Sequence, residues 1–309
     1  MVIINYMSKR VVLVTVSDDR GMRKNGMYGI TQNKVRNIMR RNNHFGISDL
    51  YFYTYDDIVG SEFYECNVNM LKCIDAAHNG RCYKPYVIQC ALRNVSEGDY
   101  VIYNDVSPEW WEVGEDFVIG DEYSLKVIQS LCDKNDGILS CSVSWMAPNG
   151  VFANHTHEYF TSERCMRYMG MERYRHCLQH ASGMMVFCKS ETSVSYVDRW
   201  LKYNVIDECA SLCDVDTGED FWGTEVDVYG KIGHRHDQSI SGLLLNDMGK
   251  KLIKIPDYWS LYPTKTYNFL SFCRTDTNYE FVSSLAEPQS FGYRNVYIGG
   301  KYEVQRYVR

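Results

Sequence analysis

The chain has 309 residues, 45% of them hydrophobic and 23% charged, the balance of a soluble globular protein with ample length for a large core. Its net charge is −6 and no long basic tract occurs, which argues against nucleic acid as the principal partner; no apolar stretch approaches the length of a transmembrane segment. The 12 cysteines are scattered without a CxxC pair, and the short apolar run near the start carries charge, unlike a signal peptide, so reduced thiols and a cytoplasmic location are expected.

In chain order, "RVVLVTVS" (10–17) is a near-continuous β-branched run that predicts a buried strand. "DDRGMRKNG" follows as a loop at the carboxyl end of that strand, where open α/β sheets place their ligands. "TQNKVRNIMRRNN" (31–43) predicts a helix capped by Thr31, and "DLYFYTYDDI" (49–58) a second strand. The clearest unit spans 84–110: helical spacing in "YVIQCALRNV", a turn at "SEGD", then the apolar strand "YVIYND" ending at Asp105. Lys84 stands before Pro85, which suits the first helical position. A further helix, an Asp-Gly turn and a strand fit 124–145; "TSERCMRYMG" (161–170) begins with a cap at Thr161 or Ser162. "SGMMVFCKS" (182–190) is a strand, 193–213 an amphipathic helix, and "HDQSISGLLLNDMGKKL" (236–252) a helix stopped near Gly249 and followed by a short strand. Alternating strands and helices predict an α/β sandwich over residues 1–255, with the Tyr-, Ser- and Asn-rich segment 256–309 a less regular tail packed on it.

Several chemistries lose support at this level. There is no GxGxxG, no P-loop lysine, no HExxH and no GxSxG. His155 and His157 read as surface or loop residues rather than ligands. Asp105 reads either as a hard oxygen ligand held at a strand end or as the cap of the turn that follows. "HRHDQS" (234–239) crowds His234, Arg235, His236, Asp237 and Gln238 ahead of an apolar helix. Asp237 there is either a helix cap or a cleft carboxylate, and in extended chain the two histidines point away from it unless the backbone bends at the cap. Gln179 and His180 precede Ala181, Ser182 and Gly183, small residues that let backbone approach a ligand. Arg20, Arg23 and Lys24 follow the first strand, where they hold a diphosphate or decorate a loop.

Taken as an ordered set, "GRCYKPYVIQCAL" (80–92), "SEGDYVIYNDVS" (96–107), "SERCMRYMG" (162–170), "RYRHCLQHASGMMVF" (173–187) and "HRHDQSISGLLL" (234–245) resemble a family of nucleotide-sugar glycosyltransferases. The resemblance implies a GT-A-like, Rossmann-like mixed sheet flanked by helices, with Mn²⁺ or Mg²⁺ as cofactor. It implies a UDP- or GDP-linked sugar as donor and a glycan hydroxyl as acceptor. Asp105 then takes the metal or donor role with His234 or His236 assisting, and Asp237 and Gln238 lie at the reaction centre. Thr15, Ser17, Arg20, Lys84 and Gln179 line the nucleotide side, while Trp110, Trp111 and Trp145 stack on sugar. The match departs from the family where Tyr103 stands in the first place of an Asp-X-Asp motif and Val106 replaces a small residue. Two other classes remain open: a carbohydrate-binding or scaffold protein on a decayed transferase fold, and a metal-dependent hydrolase or phosphotransferase.

Overall fold

The structure, a computed structural model, describes residues 9–19, 27–41, 46–72, 83–106, 122–142, 144–146, 152–154, 156–210, 213–214, 219–220, 234–254, 280–283, 291–298 and 301–308. Strands β1 (Val11–Ser17), β2 (Asp49–Thr54), β3 (Tyr100–Asn104), β4 (Ile138–Ser142), β5 (His180–Cys188), β6 (Lys251–Lys254) and β7 (Glu280–Ser283) form one mixed sheet in the order β7-β6-β4-β5-β3-β1-β2. β1 pairs parallel with β2 and with β3, β5 runs antiparallel between β3 and β4, and β6 pairs parallel with β4 and antiparallel with β7.

Every residue of β1 is buried, because the strand is covered on both faces. Val12, Val14 and Val16 pack with α2 (Tyr83–Arg93), α4 (Glu163–Met169), α5 (Glu191–Asn204) and α6 (Asp237–Asp247). Val11 and Leu13 face the other way, against α1 (Met27–Arg41) and α3 (Glu122–Lys134). The period-2 alternation of strand side chains thus splits the apolar run Val11–Val14 between two cores, which is why that run shows no polar face. The result is an α/β protein with helices on both faces of a mixed sheet, compatible with a Rossmann-like fold.

Several boundaries differ from the sequence reading. α1 starts at Met27 and Thr31 lies inside it; the Asp19 carboxylate accepts from the Tyr28 and Gly29 N–H groups (2.9 and 3.0 Å), meeting the need of a helix start for acceptors. β2 ends at Thr54, where Thr54 and Asp57 form a capping box that turns the chain into a short helix. Pro85 falls at the third position of α2, still within the first turn, where its missing N–H removes no helical bond. The predicted helix 193–213 is divided: α5 is capped by Ser190, and a separate turn covers Asp207–Ala210. Ser162 caps α4 as expected, and Gly249 (φ +65°) follows the end of α6. In the segment 256–309, β7 belongs to the main sheet and a hairpin pairs Phe291–Ile298 with Lys301–Val308.

α6 is buried from Ser239 to Asn246 all round rather than along one stripe. It packs closely at Gly242, where a Cβ would lie 2.9 Å from His157 Cε1.

Candidate functional site

The chain passes from β1 to β2 on one side, then returns through α2 to β3 on the other side of β1. Neighbouring parallel strands whose connections diverge leave a crevice at their carboxyl ends, the usual ligand position in open α/β sheets. A cleft lies there, lined among others by Asp18, Tyr28, Tyr83, Lys84, Tyr103 and Asp105.

Lys84 is the centre of the polar cluster. Its side chain is 2% exposed, and Nζ lies 2.7 Å from Asp237 Oδ2 and 3.3 Å from both Asp105 oxygens. Nζ also donates to Ser182 Oγ at 3.2 Å. Ser182 Oγ in turn donates to Asp237 Oδ2 (2.8 Å), and the Tyr103 hydroxyl donates to Asp105 Oδ1 (2.7 Å). Burial and the adjacent Asp105 push the Tyr103 phenol well above its ordinary range, so it stays a donor. Tyr103, two residues before Asp105, therefore serves as a hydrogen-bond donor to it. Each element brings one partner: the first turn of α2 supplies Lys84, the end of β3 Asp105, β5 Ser182, and the first turn of α6 Asp237.

Asp237 does not cap α6. His236 holds the N-cap position with φ 46° and ψ −117°, a backbone conformation that an L residue rarely adopts. This supplies the bend needed for two histidines beside a cleft carboxylate, but both nitrogens of His234 and Nδ1 of His236 bond to backbone. His234 accepts from the Ser162 N–H at Nδ1 (3.2 Å) and donates from Nε2 to the Cys209 carbonyl (2.7 Å), and His236 Nδ1 donates to the Ala210 carbonyl (3.2 Å). The two rings meet edge to face at 5.4 Å. They fasten the start of α6 to the 207–210 turn. Among the described residues no group of three His, Cys, Asp or Glu side chains is placed to hold a metal ion.

Thr15 and Ser17 are buried on the α1 side of β1. Gln32 Nε2 donates to Thr15 Oγ1 (2.9 Å), and Ser17 Oγ donates to Gln32 Oε1 (3.3 Å), so both fix the helix to the strand. Gln179 and Gln238 are hydrogen bonded to each other, Gln238 Nε2 donating to Gln179 Oε1 at 2.9 Å. Arg20, Arg23, Lys24, Trp110, Trp111 and His155 lie outside the described residues. His157, expected near the surface, is fully buried between Thr161 (2.7 Å) and Asn246 (3.0 Å).

Sequence reasoning missed Asp18, Tyr83 and Trp200. Asp18, first after β1 and buried at the cleft, stands in the loop already flagged for ligands. Trp200 Nε1 donates to the Asp237 carbonyl (2.9 Å) from the middle of α5, and no local sequence signal marks it.

His180 lies behind the cluster, with Nδ1 2.6 Å from Ser140 Oγ. Burial lowers its pKa to about 3; Asn246, which makes no full hydrogen bond to Nε2, offsets this only in part. The folded-state value is below the ordinary one of about 6.5. The unfolded chain therefore binds the proton first, and the stability contributed by neutral His180 is lost as pH falls from about 6.5 toward 3. Denaturation at pH 5 and pH 7 is expected to differ by about 2 kcal/mol on this account, a difference that His180→Asn abolishes.

No protein-family model, curated protein or solved structure matches the chain. No helix among the described residues is long and apolar enough to cross a membrane.

Proposed function

We propose that the chain is a GT-A-like glycosyltransferase that moves a sugar from a UDP- or GDP-linked donor to a glycan hydroxyl. One observation carries this reading. Three of the resembling segments, "KPY", "YND" and "HDQS", are widely separated in sequence, yet their Lys84, Asp105 and Asp237 side chains meet within 3.3 Å beside the switch-point crevice.

In this reading Asp105 and Asp18 face the donor. Their carboxylates are the hard oxygens that Mg²⁺ or Mn²⁺ takes, and the lysine between Asp105 and Asp237 keeps a cation from bridging that pair. A bound divalent cation would offset the charge of the diphosphate. His234 is left out of the ligand set because both ring nitrogens hold backbone groups. Lys84 and Ser182 hold the Asp237 carboxylate in one orientation, so that its position relative to the reacting groups is set before ligand arrives.

The test is donor hydrolysis and thermal shift together, with Mn²⁺ and a panel of UDP- and GDP-sugars. The expected result is a shift with one nucleotide class and slow hydrolysis, with hydrolysis reduced about 100-fold in a folded Asp105→Asn protein. Binding without turnover, insensitive to Asp105→Asn, would instead identify a carbohydrate-binding protein on a transferase-like fold. Silence of the folded protein across the panel would overturn the UDP/GDP reading.

A further inference from the structure

The charge on α1 has one sign. Lys34, Arg36, Arg40 and Arg41 lie within Met27–Arg41, and no Asp or Glu does. The bias extends beyond the helix in the sequence, spaced rather than consecutive: residues 20–48 hold seven Lys or Arg and no acidic residue, in a chain whose net charge is −6. The helix is also sharply two-faced. Thr31, Gln32, Val35 and Met39 are buried on the sheet side, while Ile30, Asn33, Lys34, Asn37 and Arg40 are exposed. Positions 30, 33, 34 and 37 follow the three- and four-residue spacing of one helical stripe, with Arg40 at its edge. No acidic residue among the described ones pairs with Lys34 or Arg40. Arg36 is half-buried, its guanidinium held over the Phe52 ring at 5.3 Å. On the same face of the sheet, α3 adds exposed Lys126 and Lys134; its exposed acid among the described side chains, Asp133, accepts from the Tyr100 hydroxyl. Ile30 is 54% exposed on the stripe. An exposed isoleucine alone is ordinary. Beside unpaired cations it completes the pattern of an interfacial helix, in which an apolar side chain enters the acyl boundary and basic ones meet headgroup phosphates.

We propose that the exposed face of α1 docks on a bilayer surface rich in anionic phospholipid. Charge complementarity selects an anionic partner, and Ile30 separates a bilayer from a nucleic acid: a duplex offers phosphates but no apolar layer for the side chain to enter. The stripe Ile30, Asn33, Lys34 and Asn37 also carries no aromatic ring to stack on a base. Tyr28, which lines the cleft, stands two residues before Ile30. Docking through α1 therefore brings the cleft to the headgroup level, where a substrate anchored in the membrane would meet it. The proposal does not depend on the transferase reading.

The experiment is co-sedimentation of the full chain with sucrose-loaded vesicles, made of phosphatidylcholine alone or with about one-third phosphatidylserine. Binding is expected only to the anionic vesicles, and it is expected to fall steeply as salt is raised. Each basic residue at an anionic surface is worth about fivefold in affinity, so Lys34→Gln/Arg40→Gln is expected to weaken partitioning about 25-fold. Ile30→Ser is expected to weaken it about tenfold with the salt dependence unchanged. All three positions are exposed, so the variants keep the fold, which their melting temperatures check. No binding of the wild-type chain to anionic vesicles at low salt, or binding that neither variant lowers, would overturn the proposal. So would tighter binding to double-stranded RNA that Ile30→Ser leaves unchanged, which would make this face a nucleic-acid site.

Discussion

Lys84→Met is expected to destabilise the protein by about 3–5 kcal/mol, the usual consequence of leaving a buried charge without its partner. The methionine fills similar volume, so the loss is electrostatic. Asp237, with a side chain 5% exposed, loses its 2.7 Å ion pair, and Asp105 is left facing it as a like charge across the vacated position. The matched double variant Lys84→Met/Asp237→Asn removes the unpaired carboxylate nearest the lysine and is expected to recover part of the loss. Urea midpoints for the two single variants and the double variant close the cycle; a coupling energy below about 0.5 kcal/mol would show that Lys84 acts through packing alone.

Trp200→Ala is expected to cost about 3–5 kcal/mol as a large-to-small change in a packed core. Trp200 is fully buried, lies tilted by 37° against Tyr196 at 5.8 Å between centroids, and through Tyr196 reaches Phe187 of β5. The substitution also strips the Nε1–H that the Asp237 carbonyl accepts. Trp200→Phe separates the two effects: it keeps an aromatic ring and loses the bond, at about 1–2 kcal/mol. On the proposed transferase function, and if the bond orients the first turn of α6, Trp200→Phe lowers nucleotide-sugar hydrolysis more than its modest destabilisation explains, measured well below the melting transition.

The fold was largely legible because its strongest signals are local. β1 is buried throughout since two cores share it, and the helix, turn and strand from α2 to β3 each carry their own pattern. The start of α6 stood out as a cluster of polar types before a leucine run. The pairing of these pieces was not legible, because Lys84 meets Asp105 and Asp237 through topology and not through spacing. His234 and His236 illustrate the reverse problem: the residue types suggest a ligand shell, while backbone groups of Ser162, Cys209 and Ala210, distant in sequence, take both nitrogens of His234 and Nδ1 of His236. The start of α1 lies ahead of Thr31 because Asp19 supplies its acceptors from eight or more residues upstream, a distance that no fixed-offset cap rule covers. The segment 256–309 hid β7 because a four-residue edge strand carries little pattern of its own.

The buried ammonium has a consequence for how the chain folds. Lys84 sits in the first turn of α2, but its closest counter-charge arrives only with α6, near the end of the described sheet. A partly ordered form with β1, β2, β3 and α2 in place and α6 undocked would hold a lysine among apolar side chains with Asp105 as its sole described carboxylate partner. That penalty falls on incomplete states and vanishes in the complete one, so it raises the cooperativity of folding and ties the appearance of the polar cluster to the docking of α6.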